Sequence, residues 1–334
     1  MSERLPIRKK ALAKTHGVWY NNKAWTRAGR TADPACPSEA PVNYLLLALS
    51  LTAGILKNIF SKAANGKSST FGGMININIL TAILGILVFS AGNPFRIAGD
   101  AGLFLLLAFL YGLFTVGSQT FFMIAVRGGE VSVSSIIYSS NFIIPSFFAV
   151  IAYHEAVSAP RLIGMGLMLL AIVLVSGNPG QKKLSKAVAY AVAAMLCSAC
   201  VGIIQKVFGA TYGNGESTMF LFCAFVSVLL VSLLLKLVPS KDGTKQTKEA
   251  DADDGGRTKR IVFKLILALC VVVANKLNLY LSAALPAMIF FPVLNGGTVV
   301  FSAMVSALLF GEKLTARKLL ALPAVLAGVI LFAL

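Results

Sequence analysis

The sequence predicts an all-α membrane protein of about ten transmembrane helices, arranged as two inverted five-helix repeats. Three observations predict it. The chain is 57% hydrophobic and only 13% charged, with a mean hydropathy of +0.80, whereas soluble domains are about 45–50% apolar and about 25% charged. Apolar runs near the length that crosses about 30 Å of hydrocarbon recur along the chain. The two halves also repeat one another. Residues 53–69 read AGILKNIFSKAANGKSS and residues 201–217 read VGIIQKVFGATYGNGES, so that Gly54 pairs with Gly202, Ile55 with Ile203 and Phe60 with Phe208. After a one-residue shift, Asn65, Gly66 and Ser68 pair with Asn214, Gly215 and Ser217.

Helix 1 (43–60) reads NYLLLALSLTAGILKNIF and runs out into basic Lys57, Lys62 and Lys67. Helix 2 (74–91) is followed by a charge-poor loop with Arg96 and Asp100, and helix 3 (101–124) leads to helix 4 (131–153), which ends at His154-Glu155. Helix 5 (159–176) closes the first half and precedes Lys182, Lys183 and Lys186. Helix 6 (185–208) is followed by a nearly neutral loop holding Lys206 and Glu216. Helix 7 (217–238) precedes the linker, and helix 8 (261–283) contains Lys276. Helix 9 (287–310) carries Pro286 and Pro292 at its start, which predicts an irregular or kinked first turn. Helix 10 (316–334) follows Gly311-Glu312-Lys-Leu-Thr315, the counterpart of His154-Glu155-Ala-Val-Ser158.

Five helices per repeat bring the second repeat in from the opposite side of the membrane. The loop charges agree. The loop after helix 1 is basic and the one after helix 6 is not; the loop after helix 2 is poor, whereas the one after helix 7 carries Lys241, Lys245, Lys248, Arg257, Lys259 and Arg260. Absolute orientation stays open. The basic loops after helices 1, 5, 7 and 9 place those loops in the cytoplasm, while the basic tail (Arg4, Arg8, Lys9, Lys10 and others) argues the reverse.

Residues 1–41 read as a disordered basic tail, 42–178 as the first repeat and 179–334 as the second, with 239–259 a flexible charged loop. The net charge of +17 does not indicate nucleic acid, because the basic residues lie in loops and the tail. The five cysteines form no framework, and Cys197 and Cys200 read as small buried thiols in an apolar helix.

The paired helix ends carry a resemblance. Asn141-Phe-Ile-Ile-Pro145 through His154-Glu155, and Phe290-Phe-Pro-Val-Leu-Asn295 through Gly311-Glu312-Lys-Leu-Thr315, are each followed by a Gly-containing closing helix. In this the chain, over about residues 43–334, resembles the drug/metabolite transporter superfamily in its ten-helix EamA-like branch. The resemblance implies secondary transport with the site between the repeats. The small four-helix multidrug branch carries a membrane-embedded Glu in its first helix; helices 1 and 6 here have no carboxylate.

Polar residues inside the spans nominate a site. Lys276 is the one clear intramembrane charge, and such charges are expensive unless they face a cavity or a partner. Aligning the repeats sets Gln119 opposite Lys276 and Ser118 opposite Asn275, and Tyr138 and Asn141 opposite Asn295 and Thr298, with Gly296 and Gly297 between. Asn278 and Tyr280 follow Lys276. The expected substrate-binding set is Lys276, Gln119, Asn275, Tyr138, Asn295, Asn141 and Tyr280, in a cavity lined by helices 3, 4, 8 and 9. Two alternatives stand beside it: these groups serve only interhelical hydrogen bonds, and Lys276 snorkels to an interface. Glu155 and Glu312 read as caps of the following helices, with gating as the alternative, and His154 as structural.

The expected function is a secondary transporter in the inner cell membrane. It would move a small polar, anionic or zwitterionic metabolite by alternating access. The alternatives are an exporter of cationic or aromatic compounds and a membrane-embedded enzyme, against which the absence of any mid-span acid argues. No catalytic residue, metal or cofactor is expected. The partners are the solute and the lipid bilayer, and the state is monomer or homodimer.

Overall fold

The computed structural model describes residues 40–65, 71–91, 96–97, 99–128, 131–176, 186–237, 254–310 and 316–333. The expected tail as far as residue 39, most of the linker, and Glu312 lie outside them. Among the described residues the chain forms helices and no strand. Hydrocarbon offers backbone groups no partner, and a helix satisfies them within one segment.

The spans are α1 (Ala40–Asn65), α2 (Phe71–Ser90), α3 (Ala101–Gly128), α4 (a broken span), α5 (Ala159–Ser176), α6 (Lys186–Tyr212), α7 (Ser217–Leu237), α8 (Asp254–Ala284), α9 (Ala287–Phe310) and α10 (Ala316–Ala333). α4 comprises Val131–Ser139, a 3-10 turn Ser140–Phe142, and Ile143–Tyr153. Among the described residues eight of these helices are long and apolar enough to cross a membrane, and α5 and α10 are shorter apolar helices. This marks a multi-pass membrane protein. Its outward Leu and Ile side chains agree, with Leu45, Leu87, Ile151, Leu234 and Ile330 among the most exposed.

The break expected at Pro292 falls instead in α4. α9 is one helix with Pro292 inside it. In α4, Pro145 lies in the first turn of the second segment, where its missing N–H costs nothing because first-turn donors have no intrahelical partner. The turn Ser140–Phe142 precedes it. α8 starts earlier than expected, at Asp254, so its first residues come from the stretch read as a linker.

α1 packs against α8, α3 against α6, α2 against α7 and α5 against α10. α7 also meets α3, α2 meets α8, and α9 meets α1 and α5. Two cores result. One gathers Phe142, Met168, Ile172, Leu281, Phe290 and Phe332 from α4, α5, α8, α9 and α10. The other gathers Phe104, Phe208, Phe220 and Leu221 from α3, α6 and α7. The matched glycines hold matched places. A Cβ on Gly54 would meet Thr298 Oγ1 of α9 at 3.0 Å, and one on Gly202 would meet Pro145 of α4 at 3.0 Å.

One end of the bundle is closely packed. Tyr212 Oη, at the end of α6, donates to the Asp100 carbonyl at 2.7 Å. Phe104 stands edge-on to Tyr212 and Phe220 with ring centroids 5.2 and 5.8 Å away. Lys206 Nζ donates to the Leu285 carbonyl at 3.2 Å and pairs with Glu155 at 2.6 Å. These contacts bring the α2–α3, α4–α5, α6–α7 and α8–α9 connections together at this packed end.

Candidate functional site

A cavity of about 420 Å³ lies between the helices, toward the end opposite the packed one. α1 gives it Lys57 and Asn58; α2 gives Met74, Ile77, Asn78 and Thr81. α3 gives Tyr111, Thr115, Gln119 and Phe122, then Met123 and Val126. Tyr138 comes from α4, Ala224, Phe225 and Val228 from α7, and Leu267, Val271 and Asn275 from α8. Met74 opens α2 and Val126 nearly ends α3, so the cavity reaches from mid-bundle to the end that carries the α1–α2 connection.

Part of the polar wall is already satisfied. Gln205 Nε2 donates to Tyr111 Oη at 3.3 Å, Tyr111 Oη donates to Asn275 Oδ1 at 2.6 Å, and Asn275 Nδ2 donates to the Val271 carbonyl at 2.8 Å. Asn58 Nδ2 donates to Ser302 Oγ at 3.0 Å, tying α1 to α9. Two buried groups of the wall are not satisfied. Asn78 is 7% exposed, and neither its Nδ2 nor Thr115 Oγ1 has a hydrogen-bond partner. Lys57 is exposed at the wall. No Asp, Glu, His or Cys lines the cavity among the described residues. Phe122 and Tyr138 form an aromatic corner, with ring centroids 4.5 Å apart.

Of the residues nominated from sequence, Gln119, Asn275 and Tyr138 meet at this cavity. The others lie elsewhere. Lys276 Nζ donates to Ser217 Oγ at 2.6 Å and Thr218 Oγ1 at 2.7 Å, fastening α8 to the first turn of α7 at the packed end. Asn141 Nδ2 donates to Ser198 Oγ at 2.7 Å, and Asn295 Nδ2 to its own helix at the Phe291 carbonyl, 3.0 Å away. Tyr280 packs against the Phe290 core. Ser118 donates to the Thr115 carbonyl, and Asn278 accepts from Ser50. α9, expected in the wall, is replaced by α1, α2 and α7.

Glu155 caps a helix, but not the one that follows it. The Ala287 N–H donates to Glu155 Oε2 at 2.7 Å, so the carboxylate sits at the N-terminus of α9, where the helix dipole favours it. His154 closes α4 in a left-handed conformation, with φ 53° and ψ 37°. Cys197 and Cys200 are free thiols. Among the described residues no cluster of His, Cys, Asp and Glu could hold a metal.

Sequence reasoning missed Lys57, Asn78, Tyr111 and Thr115. The repeat held a signal for the first: Lys57-Asn58 aligns with Gln205-Lys206, a polar pair at the same place in both halves. Lys57 instead reads with the basic loop because it falls in the last turn of a helix 1 that ends at residue 60, whereas α1 continues to Asn65 and places it two turns inside the helix.

No family model and no curated protein matches the chain. Its fold is similar to that of a solved structure titled "Crystal structure of protein", at a TM-score of 0.65 and 12% identity, over 87% of this chain and 96% of that one. At that identity the likeness shows the fold alone.

Proposed function

We propose that this protein is a secondary transporter of the EamA-like drug/metabolite class, moving a small polar metabolite across the inner cell membrane by alternating access. The observation that carries the reading is a cavity of about 420 Å³ reaching one end of a membrane bundle whose other end is closely packed. A site enclosed on one side and approachable from the other is half of an alternating-access cycle.

Helix pairing supports two inverted repeats. Exchanging each helix for the one five places away turns α1–α8 into α6–α3 and α3–α7 into α8–α2, and leaves α2–α7 and α5–α10 unchanged; all of these pairs are in contact. The four connections gathered at the packed end are alternate ones, as ten single crossings require. On that path α1 and α6 run in opposite directions.

The chemistry favours an anion or zwitterion. The wall has a lysine and no carboxylate among the described residues, so it offers a cation no counter-charge. That weighs against the exporter of cationic compounds. A hydrolytic enzyme needs clustered acids or histidines, and the lining residues include none. Proteoliposomes screened for uptake of labelled anion, zwitterion and cation pools test the reading. Saturable uptake from the anion or zwitterion pool is expected. Uptake of cations alone, or of nothing, overturns it.

A further inference from the structure

Three properties of the cavity wall, read together, narrow the ligand beyond "small and polar". First, the wall offers uncommitted donors, one of them charged. Lys57 brings an ammonium, and the Asn78 amide nitrogen and the Thr115 hydroxyl are buried without partners. Asn78 is over nine-tenths buried, and a buried donor left unpaired is destabilising until something accepts from it. Two of the acceptors are occupied, Asn275 Oδ1 by Tyr111 and Tyr111 Oη by Gln205, and those that remain are neutral amides and hydroxyls. Second, no carboxylate faces the cavity among the described residues. Third, much of the wall is apolar and aromatic, with Phe122, Phe225, Met74, Met123, Val228 and Leu267.

We infer that the cavity binds a small amphiphilic monocarboxylate without an amino group, its carboxylate on Lys57, Asn78 and Thr115 and its apolar or aromatic body between Phe122 and Phe225. The inference rests on the transporter reading of the same cavity and names its solute class. One ammonium matches one carboxylate. A phosphate monoester brings about −1.5 to −2 charges at neutral pH, which one lysine leaves undercompensated. An amino acid brings an ammonium that finds no acid in the wall, and a desolvated charge without a partner is costly. The carboxylate accepts from several donors at once, the combination that makes strong charge-assisted hydrogen bonds. The volume of about 420 Å³ suits a ligand of this size.

The test is equilibrium binding to the purified full-length protein in lipid nanodiscs. The probes are phenylacetate, its neutral isostere phenylacetamide, the zwitterion phenylalanine and the dianion phenyl phosphate. Phenylacetate is expected to bind at least about tenfold more tightly than the other three, the scale of one charge-assisted contact. In Lys57→Gln the preference over phenylacetamide should vanish while phenylacetamide binding persists, which also shows that the variant is folded. Lys236→Gln, an exposed lysine at the far end of α7, should keep the preference. Equal binding of acid and amide, a preference retained in Lys57→Gln, tighter binding of phenylalanine or phenyl phosphate, or no binding by any probe would each overturn the inference. Binding as expected without flux in proteoliposomes would sink the transporter reading and leave the ligand site standing.

Discussion

At the scale of single residues, two lysines within the spans, Lys57 and Lys276, divide their labour in a way that burial cost alone does not reveal. Any lysine in a span needs a partner or water. Lys276 takes the hydroxyls of Ser217 and Thr218, whereas Lys57 stands at the cavity wall. Cost identifies that a site exists and not which kind it is. The ion pair of Glu155 and Lys206 gives a direct prediction, since their side chains are only 9% and 10% exposed. Glu155→Gln keeps an oxygen for the Ala287 N–H but leaves Lys206 without its counter-charge. Breaking a buried pair from one side costs about 3–5 kcal/mol. Thermal unfolding in detergent should therefore show a clear drop for Glu155→Gln, with much of it recovered in Glu155→Gln/Lys206→Met. A single variant as stable as the parent would contradict the pairing.

At the scale of helices, close approach decides the packing. A Cβ on Gly112 of α3 would lie 2.6 Å from Ser227 Cβ and 2.9 Å from the backbone nitrogen of Val228 on α7. Backbone cannot rotate away as a side chain can. Gly112→Leu should cost at least about 1–3 kcal/mol through forced separation of α3 and α7. Gly166→Leu on α5, where nothing lies within 4 Å of the Cβ position, should be tolerated; melting curves of the two variants in detergent check the contrast. The spans themselves were legible in the sequence, because hydropathy and length identify them without any packing information. What was not legible was which face of each helix looks inward. α2 and α7 are apolar nearly all round, so periodicity gives no direction, and Asn78 of α2 and Phe225 of α7 could be placed at the cavity only once their neighbours were known. The break in α4 was hidden for a similar reason: Pro145 sits where a helix begins and Pro292 where one continues, and their strings look alike.

At the scale of the whole molecule, the proposed two-repeat plan draws on two independent routes, the repeat in the sequence and the pairing of helices. The repeat placed polar pairs at matched depths, and three of the seven nominated residues, Gln119, Asn275 and Tyr138, do share one cavity. Alignment supplies depth along a helix and not rotation about it, which is why Asn141 and Tyr280 at plausible depths turn toward other helices and Asn295 bonds its own. The absence of acids from the lining, among the described residues, bears on energy coupling. With no carboxylate there to carry a proton, solute exchange in proteoliposomes should run at the same rate at equal pH on both sides as under an imposed gradient. Strict dependence on the gradient would place a proton carrier that this cavity does not contain.

The central claim is that one cavity serves both faces of the membrane in turn. It is tested most directly by thiol accessibility at Met123, an apolar wall residue, in a Met123→Cys variant from which the five native cysteines have been removed. A membrane-impermeant thiol reagent is applied to right-side-out and inside-out vesicles, with and without the solute. Without solute, labelling is expected only from the face that carries the α1–α2 connection. With solute present, labelling should appear from the opposite face as the packed end opens. Labelling confined to one face at every solute concentration would contradict the account.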